Sequence, residues 1–218
     1  MKQSKIQIIR FLVQSLFMIG MILSLKPSYG MVGKWIFITI LFVGVFFCGW
    51  VCPFGSIQDW SNKLGKKLRL PQYQVPIKYQ QYLQLARYFI YVLGTLGISY
   101  AIINARSAFN HKLFTNTLTL GAGIFLALFL IASLFIKRPF CNYFCAKGAG
   151  YGILSILRIL GIKRDNDKCI HCKLCDKNCP MNIQIESTDF VRHPNCINCM
   201  TCVSVCPKKC IKYRLKSK

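Results

Sequence analysis

The sequence predicts a mainly α membrane protein, with four transmembrane helices arranged as two duplicated hairpins, followed by a small α+β domain built on cysteine. Three observations predict it. Apolar stretches of spanning length recur, a short pattern repeats once along the first two thirds of the chain, and eight cysteines fall in two identical runs near the C-terminus. Composition agrees: 54% of the 218 residues are apolar and only six are acidic, unlike an ordinary soluble domain.

The apolar stretches run from Ile6 to Leu25, Trp35 to Val51, Tyr82 to Ile103 and Leu118 to Ile136. Each is near the ~20 residues that cross a ~30 Å hydrocarbon core. Lysine and arginine sort across them. With the N-terminus inside, all but four of the 29 basic residues fall on the inner side; the exceptions are Lys26, Lys34, Arg106 and Lys112. That asymmetry places both termini in the cytoplasm and the chain in the inner, cytoplasmic membrane. Met1 to Leu25 has the basic head and apolar middle of a secretory signal, but no A-x-A-like site follows, so the segment is expected to stay.

Several classes are excluded. A net charge of +23 suggests nucleic acid, yet no basic recognition helix or aromatic stacking sheet is present, and none is expected as partner. None of His111, His171 and His193 lies in an apolar stretch, so a membrane haem held by paired histidines is ruled out. The stretches hold no Asp or Glu, against a proton pump, and lack the interrupted helices of a transporter.

Two amphipathic segments border the apolar ones. Ser56 to Leu70 carries Trp60, Leu64 and Leu68 at helical spacing among Lys63, Lys66, Lys67 and Arg69, which suits a helix on an anionic leaflet or a basic linker. Gly148 to Ile162 reads as a second interfacial or short buried helix. The composition turns polar and cysteine-dense at about Lys163. The expected organisation is therefore a four-helix transmembrane domain over 1–162 and a cytoplasmic domain with a basic tail over 163–218.

Cys169, Cys172, Cys175 and Cys179 precede Pro180 as C-x2-C-x2-C-x3-C-P, and Cys196, Cys199, Cys202 and Cys206 precede Pro207 identically. Three cysteines in one tight loop reach three corners of a cubane, and the fourth ligates the other cluster. The predicted [4Fe-4S] ligand sets are Cys169, Cys172, Cys175 and Cys206 for one cluster, and Cys179, Cys196, Cys199 and Cys202 for the other. Zinc needs four ligands per site and does not call for this doubled eight. The run resembles the bacterial two-cluster ferredoxins over about Lys163 to Tyr213, which implies their pseudo-symmetric βαβ pair. Cys210 falls opposite Ile183 when the halves are aligned and is expected to pack in the core. His171 and His193 are expected as exposed loop residues. Lys168, Lys173, Lys177, Lys208, Lys209 and Lys212 offer a basic surface to an acidic partner or to a membrane.

The repeat in the first two thirds pairs Gln7-Ile-Ile-Arg10-Phe11, with Gly20 beyond, with Gln84-Leu-Ala-Arg87-Tyr88, with Gly97 beyond. Each copy ends in C-x3-C-x2-G: Cys48, Cys52 and Gly55, then Cys141, Cys145 and Gly148. In a helix such cysteines share a face, with Cβ atoms about 5–6 Å apart. The four are expected to converge into one redox site at the inner leaflet, with Arg10 and Arg87 as supporting charges. A third iron–sulfur cluster, redox-active dithiols and apolar packing all remain open for them.

Together these motifs resemble the polytopic membrane ferredoxin family that includes the NapH- and NosR-type proteins, with Ala146 standing where the family writes proline. The resemblance implies iron–sulfur electron transfer between the membrane quinone pool and a redox protein partner, through an electron-transfer subunit of a quinol-linked system. It also admits an alternative, an assembly, metal-reducing or redox-regulatory factor for an oxidase or reductase.

Overall fold

The computed structural model describes residues 5–23, 38–96 and 120–215. Lys26, Lys34, Gly97, Arg106, His111 and Lys112 lie outside them. The chain divides into two compact units, Met1–Pro53 with Tyr151–Lys218, and Phe54–Gly150.

In the first unit, helix α1 (Lys5–Ile22) packs on the five-residue helix α2 (Phe46–Trp50). Both rest on the cysteine-rich tail. Arg10 Nε donates to Gly49 O at 2.8 Å, Gln7 Nε2 to Cys199 O at 3.1 Å, and Trp50 Nε1 to Asn198 O at 3.0 Å. A side chain at Gly49 has no room, since a Cβ there would stand 2.3 Å from Ile197 O.

The second unit holds most of helix α3 (Pro53–Lys67), all of α4 (Ile77–Thr95), α5 (Leu120–Phe135) and α6 (Pro139–Tyr143), and the start of α7 (Ala146–Leu154). Helices α4 and α5 both pack on α6. Gly65 of α3 lies against the α5 backbone, where a Cβ would meet Leu134 O at 2.2 Å. Arg138 is 1% exposed and forms a fork on Asp59, Nε to Oδ1 at 2.7 Å and Nη2 to Oδ2 at 2.6 Å. Such a two-bond pair fixes geometry as well as charge.

After α7 and a 3-10 turn (Ser155–Leu157), strand β1 (Leu160–Arg164) pairs antiparallel with the last strand, β2 (Ile211–Leu215), with Leu160 opposite Leu215. Between them lie two short helices, α8 (Leu174–Asn178) and α9 (Thr201–Val205), packed on each other. The two halves repeat every 27 residues in their backbone as well. Left-handed φ values recur at His171 and Asn198, Lys173 and Met200, and Asn182 and Lys209. The core beneath is Ile162, Met181, Ile183, Ile185, Val191 and Ile211 with the buried cysteines.

The expectation of four transmembrane helices as two duplicated hairpins is overturned: no helix among the described residues is long and apolar enough to cross a membrane. The reasons are local. Helix α1 places Gln7, Arg10 and Gln14 along one face, and α4 does the same with Gln80, Gln84 and Arg87. The stretch ending at Val51 breaks at Gly44, whose φ of +80° ends helical residues 38–43. Helix α5 is apolar, with 16 residues among those described.

These helices are nonetheless apolar on the outside. Arg10 and Gln14 of α1 are buried while Leu12 and Leu16 are exposed; in α4, Gln80, Gln84 and Arg87 are buried while Tyr82, Leu85 and Phe89 are exposed. In α3 the buried side chains include Gln58 and Asn62, and Leu64 faces out. Helix α3 covers most of the predicted amphipathic segment, and the predicted helix over Gly148 to Ile162 ends early, at Leu157.

Candidate iron–sulfur sites

The second predicted ligand set is assembled. Cys179, Cys196, Cys199 and Cys202 all line one recess, floored by Ile162, Met181, Ile183, Ile185, Val191 and Ile197. It encloses about 370 Å³ free of protein atoms, its open mouth included. Burial pushes the Cys179 thiol up to about 12, with the charges of Cys199 and Cys196 adding to it. Cys202 is raised in the same way by burial and then by Cys199, Cys196 and Cys179. Four thiols that repel one another in an apolar recess suit a polycationic iron–sulfur core, whose charge would hold them as thiolates. Among the described residues, no three cysteine, histidine or carboxylate groups gather closely enough for a single metal ion. The chemistry of these residues fits a [4Fe-4S] cluster, which Cys179, Cys196, Cys199 and Cys202 would hold.

The first set is more open. Cys175 is buried, Cys169 and Cys206 are half-buried and Cys172 is exposed. Cys169 and Cys206, far apart in sequence, meet at Cys210, whose sulfur lies 3.3 Å from Cys206 Sγ and hydrogen-bonds Cys169. Cys210 is buried in the core as its alignment with Ile183 implies, yet it also touches two predicted ligands, which the alignment does not show. The Cys169 thiol is lowered, first by the His171 backbone amide and next by Arg164. Cys175 is pushed up to about 12 by burial and then by Asp176, its neighbour. His171 is an exposed loop residue paired with Glu186, Nδ1 to Oε1 at 2.5 Å.

The C-x3-C motifs share one local form, and it is a bend between two helices rather than one continuous helix. In the first unit Val51 N and Cys52 N both donate to Phe47 O, and α3 starts at Pro53. In the second, Phe144 N and Cys145 N both donate to Phe140 O, and α7 starts at Ala146. Alanine thus opens its helix where proline opens the other. Each arginine of the repeat reaches the bend beside it: Arg10 donates to Gly49 O, and Arg87 Nη1 to Cys141 O at 3.2 Å.

Around the second bend lie donors with no signal in the sequence. Gln58 Nε2 donates to Cys141 Sγ at 3.2 Å while its Oε1 accepts from Phe140 N, and Gly148 N donates to Cys145 Sγ at 3.3 Å. Cys48 packs against the tail core of the first unit, and Cys52 is buried. Cys48 and Cys52 belong to one unit, Cys141 and Cys145 to the other.

The comparisons with known proteins agree with this chemistry. A family described as a 4Fe-4S binding domain matches residues 28–71 and 118–162, and one described as a 4Fe-4S dicluster domain matches residues 161–207. The chain is 36% identical to YccM of Escherichia coli, named as an electron transport protein, over 74% of this chain and 48% of that one. It is 32% identical to an uncharacterized protein of Methanocaldococcus jannaschii over 96% of both chains. It is 29% identical to the ferredoxin-type protein NapH of Haemophilus influenzae, over 81% of this chain and 66% of that one. The chain thus spans about half of YccM and nearly the whole of the M. jannaschii protein. No solved structure matches it.

Proposed function

The chain belongs to the NapH/NosR-type family of 4Fe-4S electron-transfer proteins, and from that premise we propose that it passes electrons between the quinone pool and a redox protein partner at the cytoplasmic membrane. One observation carries this reading. The Cys48–Trp50 bend lies directly on the loop that carries Cys196 and Cys199, with Gly49 against Ile197 O and Trp50 bonded to Asn198 O. A cysteine motif shared with the helical part of the chain thus abuts a predicted cluster site.

The ligand sets are Cys169, Cys172, Cys175 and Cys206, and Cys179, Cys196, Cys199 and Cys202. When bound, each cluster supplies a one-electron carrier. The chain's own groups do the rest. The apolar floor of the recess excludes water, α1 and α2 hold the Ile197–Cys199 loop, and Gln58 with the Gly148 amide holds the sulfurs of Cys141 and Cys145. Donors aimed at sulfur favour thiolate, which suits redox chemistry at Cys141 and Cys145; Cys48 and Cys52 form the matching pair of the repeat. The membrane part of the reading is supported by the exposed apolar faces of α1 and α4, which are large for a surface meeting water. The exposed lysines of the tail support a cytoplasmic side for it.

The test uses full-length protein purified anaerobically in lipid nanodiscs, titrated with a menaquinol or ubiquinol while cluster absorbance is followed. Bleaching that the oxidised quinone reverses is the expected result. A cluster-loaded protein that responds to no quinone would overturn the reading and favour an assembly factor.

A further inference from the structure

The second thiol set has a buried cation beside it that no carboxylate pairs among the described residues, unlike its twin. Arg158 follows the Ser155–Leu157 turn and is 2% exposed. Its Nη2 donates to Val191 O, while Nε and Nη1 have no hydrogen-bond partner among the described residues. No ion pair among them involves it either. A buried guanidinium left in this way is costly, and its cost falls when an anion is placed beside it.

The arginine lies against the wall of the recess. Its neighbours Val191 and Asn198 both line that recess, and Cys196 Sγ donates to Asn198 Oδ1 at 3.5 Å. Gly44 makes the space: a Cβ there would stand 2.8 Å from Asn198 Nδ2 and 2.9 Å from Arg158 Cδ.

At the first set the balance is reversed. Asp176 places Oδ1 3.4 Å from Cys175 Sγ and accepts from the Ile185 and Glu186 amides. Its counterpart 27 residues on is Val203, which carries no charge. The cation of the first set, Arg164, leaves Nη1 without a hydrogen-bond partner but already has Asp189 at 3.6 Å and the Thr188 carbonyl.

We propose that Arg158 is the counter-cation of the cluster held by Cys179, Cys196, Cys199 and Cys202, and that it makes this cluster the higher-potential member of the pair. The inference rests on the ligand sets proposed above. Reduction adds one electron to a cluster, with no bond made and no proton required. A fixed cation in a poorly solvated site stabilises the more negative form, and a fixed carboxylate opposes it. Electrons shared between the sites then rest on the one that abuts the Cys48–Trp50 bend.

The experiment is a dithionite titration of the full-length, anaerobically purified protein, read by electron paramagnetic resonance, in wild type, Arg158→Gln, Arg158→Lys and Asp176→Asn. Wild type is expected to show two midpoints. Arg158→Gln should lower the higher one by at least tenfold in the reduction equilibrium, about 59 mV for one electron, and Arg158→Lys should restore most of it. Asp176→Asn should raise the lower midpoint, which assigns the two. Melting of the cluster-free protein is a second readout: Arg158→Gln should melt no lower than wild type, because its uncompensated cation is gone. Unchanged midpoints in Arg158→Gln, movement of the lower one instead, or a marked loss of cluster-free stability would overturn the inference. Wild-type protein holding fewer than two clusters would instead overturn the ligand sets.

Discussion

In the cysteine-rich tail Ile162, Met181, Ile183 and Val191 are buried and Lys168, Lys173, Lys208 and Lys209 stand outside. In the second unit the buried side chains of α3 and α4 include Gln58, Asn62, Gln80, Gln84 and Arg87, and Tyr82, Leu85 and Phe89 stand outside. The tail is ordered as proteins in water are, with apolar groups removed from solvent. The second unit adds to a cluster of Phe54, Phe129, Phe140 and Phe144 a set of buried hydrogen bonds, such as Gln84 to Asn142 and Tyr143 to Gln80, and the Arg138–Asp59 fork. Inside that unit every buried polar side chain needs a partner, so part of its stability rests on a few specific bonds. The tail draws its stability from area and from whatever its thiols hold.

The sharpest way to break the contrast is Asp59→Ala. It leaves Arg138 buried without its carboxylate, for an expected loss of about 3–5 kcal/mol. Thermal unfolding of the full chain should show this loss while tail iron is retained; an unchanged melting profile would mean that the fork is not structural. Next is Gly49→Ala, where the new Cβ meets Ile197 O. Overpacking of this kind costs about 1–3 kcal/mol, and here it should fall on the loop of Cys196 and Cys199. Iron analysis should show one cluster lost in part and the other kept. Equal loss from both would show that the bend does not bear on one site.

A smaller effect concerns pH and sharpens the tail's side of the comparison. In the cluster-free chain the thiols of Cys175 and Cys179 are raised to about 12 by burial. A raised thiol contributes stability that is full below its unfolded value, about 8.5, and is lost as pH climbs towards 12. The melting temperature of cluster-free protein should therefore fall between pH 9 and pH 11. Cluster-loaded protein, whose ligands are already thiolates, should lack that slope. The smallest effect is Leu85→Ser on the exposed face of α4, which should change folding stability by no more than about 0.5 kcal/mol. If the face meets lipid, the same change should weaken flotation with liposomes, and unchanged flotation would remove that support.

The two regions also differ in how far the sequence discloses them. The doubled cysteine run leads directly to iron–sulfur chemistry, and the second set does line one recess, because ligand spacing is a local property of a tight loop. The helices are legible as helices at Lys5–Ile22, Ile77–Thr95 and Leu120–Phe135, but their apolar windows read as spans, which the described helices are not. Periodicity could have tempered that reading, since Gln80, Gln84 and Arg87 fall on one helical face. The break at Gly44 had no such signal, because it depends on Arg158 and Asn198, more than a hundred residues away. Gln58, Asp176 and Arg158 were missed for the same reason: their partners are brought to them only by folding.

The central claim, that the tail carries two [4Fe-4S] clusters for electron transfer, is tested most directly by metal and electron counting on the anaerobically purified full chain. About eight tail irons and two one-electron reductions per chain are expected, with Cys202→Ser removing one cluster and leaving the other. Zinc in place of iron, or iron that accepts no electrons, would contradict it.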